Sequence, residues 1–177
     1  MTNIKAVEKS IVQVARQAET VYVQVVGRGS FQNASHVKSF CEETVKSGVS
    51  HLIIDLKECT YLDSTFLGTL AGVGLKLRTV PGGTLEVINA SPRNSELIQN
   101  LGLDRLFRFH LKPVQCGVPT VAAHPLEALE SEPAGKIETG ETMLEAHETL
   151  MHWDPRNVPK FKDVVAYLKE DLGQKVA

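Results

Sequence analysis

The hydrophobic positions of this 177-residue chain change period several times. Ile11-Val12-Gln13-Val14-Ala15-Arg16 and Thr20-Val21-Tyr22-Val23-Gln24-Val25-Val26 are rich in β-branched residues with partial alternation, separated by Gln17-Ala18-Glu19, and they predict a hairpin. Gly27-Arg28-Gly29-Ser30 breaks the second run. Val37, Phe40, Cys41, Thr44 and Val45 then share one helical face, with Asn33 or Ser35 as the cap and Gly48 as the stop. His51-Leu52-Ile53-Ile54-Asp55-Leu56 has the solid aliphatic content of a buried central strand. Leu67, Leu70, Ala71, Gly74 and Leu77 return to helical spacing, and the helix is expected to run to about Val80, before Pro81 and Gly82-Gly83. Leu85 to Ile88 predicts a further strand. Ser91-Pro92 predicts a capped helix that buries Leu97, Ile98 and Leu101 and stops at Gly102, and Leu106 to Leu111 predicts the last strand.

Strands that alternate with helices point to an α/β layered domain with at least one parallel pair, because a helical crossover returns the chain in the same direction. This domain is expected over residues 1–112. Residues 113–136 are rich in Pro and Ala and read as a linker. Residues 137–177 read as an acidic two-helix extension. Met143, Leu144, His147, Leu150 and Met151 form one stripe, Asp154-Pro155 and Val158-Pro159 interrupt it, and Phe161, Val164, Val165, Leu168 and Leu172 form a second. Some forty residues are marginal for an independent core, so these faces should rest on the α/β domain, a second copy of the chain or a partner. Trp153 and Tyr167 are expected to pack within this tail. No internal repeat is evident.

Composition narrows the class. With 42% hydrophobic and 23% charged residues the chain is an ordinary globular protein, and its net charge of −2 gives no general drive toward nucleic acid or an anionic membrane. The charge is uneven, +3 over residues 1–112 and −5 over 113–177. Cys41, Cys59 and Cys116 are odd in number and far apart, which favours neither a disulfide framework nor a thiolate metal site and suits a reducing cytoplasm. The first nine residues lack the apolar core of a signal peptide, and no run has the length of a membrane span, so a cytoplasmic protein without membrane insertion is expected. The sequon Asn33-Ala34-Ser35 is then coincidental.

The stretch richest in chemistry is Tyr61-Leu62-Asp63-Ser64-Thr65-Phe66-Leu67-Gly68, where a strand pattern gives way to a helix. Short oxygen-bearing side chains are favoured there as acceptors for first-turn N–H groups, so Asp63-Ser64 is, by itself, a helix cap. Other readings find little support. Gly68, Gly72 and Gly74 lie within a helix rather than in a phosphate-binding loop, and predict close packing of that helix on the sheet. His147 and His152 are five apart and do not share a face as a zinc pair would. A hydrolytic arrangement of Asp63, Ser64 and some distant histidine lacks the Gly-x-Ser-x-Gly elbow. Arg28, Arg93, Arg105 and Arg108 are scattered and expected to be solvated. No catalytic residue, metal ligand or cofactor is therefore assigned.

Over about the first 112 residues the order of elements, the Asp63-Ser64-Thr65 turn, Gly82-Gly83 before Leu85-Glu86-Val87-Ile88, and the run from Ser91-Pro92 to Leu101-Gly102-Leu103 resemble a STAS domain of the bacterial anti-sigma factor antagonist kind. The resemblance implies a STAS-like mixed sheet with helices packed on it, followed here by a C-terminal helical hairpin. It places the phosphorylated serine of that family at Ser64. It implies a protein-binding regulator rather than an enzyme, with an anti-sigma factor or serine protein kinase as partner and a serine phosphatase to reset it. The partner surface is expected to include Asp63, Thr65, Phe66, Gly68 and Ser30, and a homo-oligomer through the C-terminal helices is a further partner the stripes allow. Two positions depart from the pattern. Phe66 stands where many antagonists have glycine, and Ser30 where the family commonly has an acidic residue, which weakens any carry-over of nucleotide or kinase contacts to that loop. The other reading is a non-catalytic scaffold or adaptor that assembles a signalling or transport complex without phosphorylation.

Overall fold

The computed structural model describes residues 10–112, 125–129 and 132–173; most of the expected linker lies outside them. The first hairpin forms as the alternation predicts, from β1 (Ile11–Gln17) and β2 (Thr20–Gly29), paired antiparallel with Ile11 opposite Val26 and Gln17 opposite Thr20. Then follow α1 (Phe31–Lys46), β3 (His51–Asp55), β4 (Cys59–Leu62), α2 (Ser64–Leu77), β5 (Thr84–Ile88), α3 (Pro92–Asn100), a single 3-10 turn at Leu103–Arg105, and β6 (Arg108–Phe109). The strand expected from Leu106 to Leu111 shrinks to two residues because Leu106 and Phe107 are spent closing the 3-10 turn and are buried. After a short β7 (Glu127–Ala128) the chain enters α4 (Lys136–Trp153), a 3-10 turn at Pro155–Asn157, and α5 (Val158–Asp171).

The sheet is mixed, in the order β6-β5-β3-β2-β1-β7, with β2, β3, β5 and β6 parallel and β1 and β7 antiparallel to their neighbours. Each parallel step is crossed by a helix or turn that returns the chain to the same edge, as parallel pairing requires. β4 leaves this order and pairs in parallel with the far end of β2, through Gly27, Arg28 and Gly29. Alternation along the strands sorts two apolar groups. Val21, Val23, Val25, Leu52, Ile54, Leu85 and Val87 join the main core with α1 and α2, while Ala15, Tyr22, Ile53 and Ile88 form a smaller cluster with Leu126. The Tyr22 hydroxyl donates to the buried Asp55 carboxylate, which also accepts from the Lys57 N–H at 2.9 Å and the Asn89 amide at 3.0 Å.

The C-terminal hairpin does not stand apart. α4 lies along α2 and also touches α1, and Leu150 belongs to the main core. Leu144, Val165 and Leu168 form the seam between α4 and α5. Val164, expected in that stripe, is exposed, and so is Tyr167 at 67%. The turn between the helices is fastened to the end of α3: Trp153 Nε1 donates to the Gly102 carbonyl at 2.8 Å, and the fully buried Asn157 amide donates to Leu101 and Leu150 carbonyls at 3.1 and 3.0 Å.

Candidate functional site

Asp63 and Ser64 stand where β4 ends and α2 begins. Asp63 is the cap. Its Oδ1 accepts from the Phe66 N–H at 2.9 Å, and its Oδ2 accepts from the Phe31 N–H, in the first turn of α1, at 2.9 Å. One carboxylate therefore ties two helix starts together, and the Asp63 N–H is itself held by the Gly29 carbonyl at 3.1 Å. Ser30 caps α1: its hydroxyl accepts from the Gln32 N–H, while Asn33 Oδ1 accepts from the Ser30 N–H at 2.9 Å in a reciprocal capping box. Ser30, not Asn33 or Ser35, is thus the cap, since the helix begins earlier than its apolar stripe.

Ser64 is the first residue of α2 and is half-buried. Its hydroxyl lies 2.9 Å from His147 Nε2 on α4, and His147 Nδ1 lies 2.7 Å from the Met143 carbonyl. A carbonyl can only accept, so Nδ1 carries the hydrogen and Nε2 receives the Ser64 proton. Burial at 4% exposure pushes the imidazole below its ordinary titration range, against the Met143 carbonyl and the Asp63 charge, which favour the cation. The neutral tautomer and the geometry agree. The Phe161 ring of α5 packs on the imidazole at 4.9 Å.

The rest of the expected partner surface is distributed unevenly. Phe66 is 0% exposed and fills the core against Gly29, where an added Cβ would meet Leu62 at 2.7 Å and Phe66 at 3.0 Å. It therefore offers no surface contact in this arrangement; its ring takes the space that Gly29 leaves open. Thr65 and Ser30 are buried as well. Gly68 faces α4 rather than the sheet: an added Cβ would lie 2.4 Å from the Ala146 carbonyl oxygen. Of the other glycines in α2, Gly74 packs against Leu106 and Phe107, and Gly72 has open space. Asp63 and Ser64 keep partial exposure. Near them Arg28 stacks over Tyr61 at 4.2 Å and Arg93 approaches the same ring at 5.8 Å, so two of the four scattered arginines do gather at this end of the sheet.

His147 is the site residue that spacing alone missed. Its place in the apolar stripe of the tail signals burial, but nothing in the sequence says against which residue. A Ser–His pair invites comparison with a nucleophilic dyad, but here the second imidazole nitrogen faces the Met143 carbonyl and not an orienting carboxylate. A small crevice between α2 and α4, lined by Gly68, Thr69, Thr142 and Ala146 but by neither Ser64 nor His147, holds about 10 Å³. A large open groove of about 920 Å³ lies between β1, the start of α1, Ala128, Leu129 and Glu132 to Ala134, and none of Asp63, Ser64 or His147 lines it. Among the described residues, no group of three or more His, Cys, Asp or Glu side chains is placed to hold a metal ion, and no helix is long and apolar enough to cross a membrane.

The STAS domain family model matches residues 12–115, from β1 past β6, and the chain belongs to that family. The fold agrees with solved structures of it. An anti-sigma factor antagonist from Mycobacterium paratuberculosis aligns at 23% identity with a TM-score of 0.51, covering 62% of this chain and 92% of that one. A protein from Thermotoga maritima described as an anti-sigma factor antagonist aligns at 15% identity and a TM-score of 0.51, covering 56% and 85%. The phosphorylated form of SpoIIAA, a Bacillus cell fate determinant, aligns at 19% identity and 0.48, covering 57% and 92%. The two likenesses with TM-scores of 0.51 support the fold.

Proposed function

We propose that this chain is a phosphorylation-controlled protein-binding regulator of the anti-sigma factor antagonist type. Its unphosphorylated form binds an anti-sigma factor or serine kinase, and phosphate on Ser64 releases that partner. The observation that carries the reading is the position of Ser64, the first residue of α2 directly after the Asp63 cap, where the antagonist pattern has its acceptor serine. A phosphate there adds nearly two negative charges at the positive end of a helix, a placement worth about 0.3–1 kcal/mol, so the domain stays folded. The partner bears the larger effect, because a dianion buried in an interface must be desolvated. A loss of about 3 kcal/mol there weakens binding more than a hundredfold. A serine phosphatase resets the switch, and no catalytic role falls to the chain.

Phosphopeptide mass spectrometry of the protein isolated from its own cells, with co-purified partners identified, tests this. Phosphate on Ser64 and a kinase-like partner that Ser64→Ala retains and Ser64→Asp loses are the expected results. Absence of phosphate together with equal capture by both variants would leave the second reading, a phosphorylation-independent scaffold. The engagement of the Ser64 hydroxyl by His147 favours that alternative. Ile137, Val164 and Tyr167 remain exposed on the hairpin for self-association, which light scattering measures.

A further inference from the structure

The hairpin occupies the switch. α4 runs along α2 so closely that a Cβ on residue 68 would lie 2.4 Å from the Ala146 carbonyl oxygen. Directly beside this contact the single hydroxyl proton of Ser64 is used by His147. Lys38 of α1 pairs with Glu145, and Trp153, Asn157 and Lys160 tie the far end of the hairpin to carbonyls at residues 100–102.

A phosphate and this arrangement are incompatible on three counts. Esterification removes the proton that Ser64 donates, so neutral Nε2 would face phosphate oxygens as acceptor against acceptor. Turning Nε2 into a donor requires either a charge on a ring that is 4% exposed and packed on Phe161, or the other neutral tautomer, which sets a bare Nδ1 against the Met143 carbonyl at 2.7 Å. The Asp63 carboxylate, fixed by two backbone N–H groups at the same helix start, repels the dianion from the side.

We propose that α4 is an intramolecular cover over the Ser64 switch, latched by the Ser64–His147 hydrogen bond, and that a closed cover and a phosphate on Ser64 exclude one another. The proposal rests on the reading of Ser64 as the acceptor. It adds a regulatory layer to that reading: in-line attack by Ser64 Oγ on the γ-phosphorus of a nucleoside triphosphate held by the kinase, which breaks the bond to the leaving nucleoside diphosphate and gives the hydroxyl proton to a base of the kinase, requires α4 to lift first, and the phosphate, once transferred, holds α4 away. By linkage, whatever opens the hairpin promotes phosphorylation to the same degree that phosphorylation opens the hairpin. A partner that docks on the α2 face must likewise displace α4.

The test uses the full chain with phosphoserine installed at position 64 by genetic-code expansion, compared with the unmodified chain by amide hydrogen exchange and mass spectrometry. Peptides within 136–153 are expected to exchange at least tenfold faster in the phosphorylated chain, with β2 and β3 peptides unchanged. Equal protection of 136–153 in the two forms overturns the proposal. Loss of protection in β2 and β3 along with α4 overturns it too, because the hairpin would then be an inseparable part of the core. Ala146→Arg, which wedges α4 from its own side without a phosphate, is expected to give the same selective opening. Because phosphate is placed chemically, a failure here is distinct from failure of the functional reading, which shows itself as Ser64 unmodified in cells.

Discussion

Asp63 does more than cap a helix, and the cost of losing it separates its two roles. Asp63→Ala removes the acceptor for Phe66 N–H in α2 and for Phe31 N–H in α1. A lost cap costs about 1 kcal/mol and rarely above 2, so a double cap is expected to lower stability by about 1.5–2.5 kcal/mol, read from the urea midpoint at unchanged slope. Asp63→Asn keeps one good acceptor oxygen and is expected to lose less than half as much. Equal losses for the two variants would show that charge, not capping, is what Asp63 supplies. Phe66→Ala is a different kind of change. It empties a fully buried site against Gly29 and is expected to cost about 3–5 kcal/mol. Residue chemistry at this turn was legible in the sequence as far as it is local: an acid and a hydroxyl at a strand-to-helix junction are caps on spacing alone. The burial of Phe66 was not, because a large apolar side chain next to a site has the same local pattern whether it faces a partner or its own core.

At the scale of elements, local signals placed most boundaries and failed where partners are distant in sequence. Ser91-Pro92 and Gly102 bracket α3 as expected, and Gly48 at φ 93 ends α1. β4 was missed because Cys59-Thr60-Tyr61-Leu62 is short and takes its pairing from the bent end of β2 thirty residues earlier. The helix periods of the tail were legible, but a stripe of apolar residues fixes only that a face is covered, not by what. In α4 that face rests on α2, and apolar burial should outweigh the ion pair at its edge. Leu150 is fully buried in the main core, whereas the Lys38–Glu145 pair lies on the surface with Glu145 half exposed. Leu150→Ala is expected to cost about 2–5 kcal/mol. Glu145→Ala should cost under about 1 kcal/mol, and the difference should survive 0.5 M salt. Thermal and urea unfolding of the two variants check this; a larger loss for Glu145→Ala would mean that charge holds the hairpin in place.

For the whole molecule, the docking of hairpin on domain should depend on pH in two separable steps. The first comes from His147, whose titration burial pushes below the ordinary 6.5, with Ser64, the Met143 carbonyl, the Phe161 ring and the Asp63 carboxylate facing it. With the folded value depressed, the open or unfolded chain binds more protons than the closed one once pH falls below about 6.5, so stability must decline in that direction. The second comes from Asp154, held down to about 2 by the Arg156 side chain and N–H and by the charge of Arg105. Its contribution is complete above the ordinary 3.8 and is lost as pH falls from there through 2. Fluorescence of Trp153, the chain's one tryptophan, docked on the Gly102 carbonyl, reports the hairpin directly. Titrated from pH 7.5 to 2, it is expected to shift once between about 6.5 and 5 and again below 4. His147→Gln, which can still accept from Ser64 but does not titrate, should abolish the upper step and leave the lower one. If the upper step persists in that variant, the protons responsible do not belong to the latch beside Ser64.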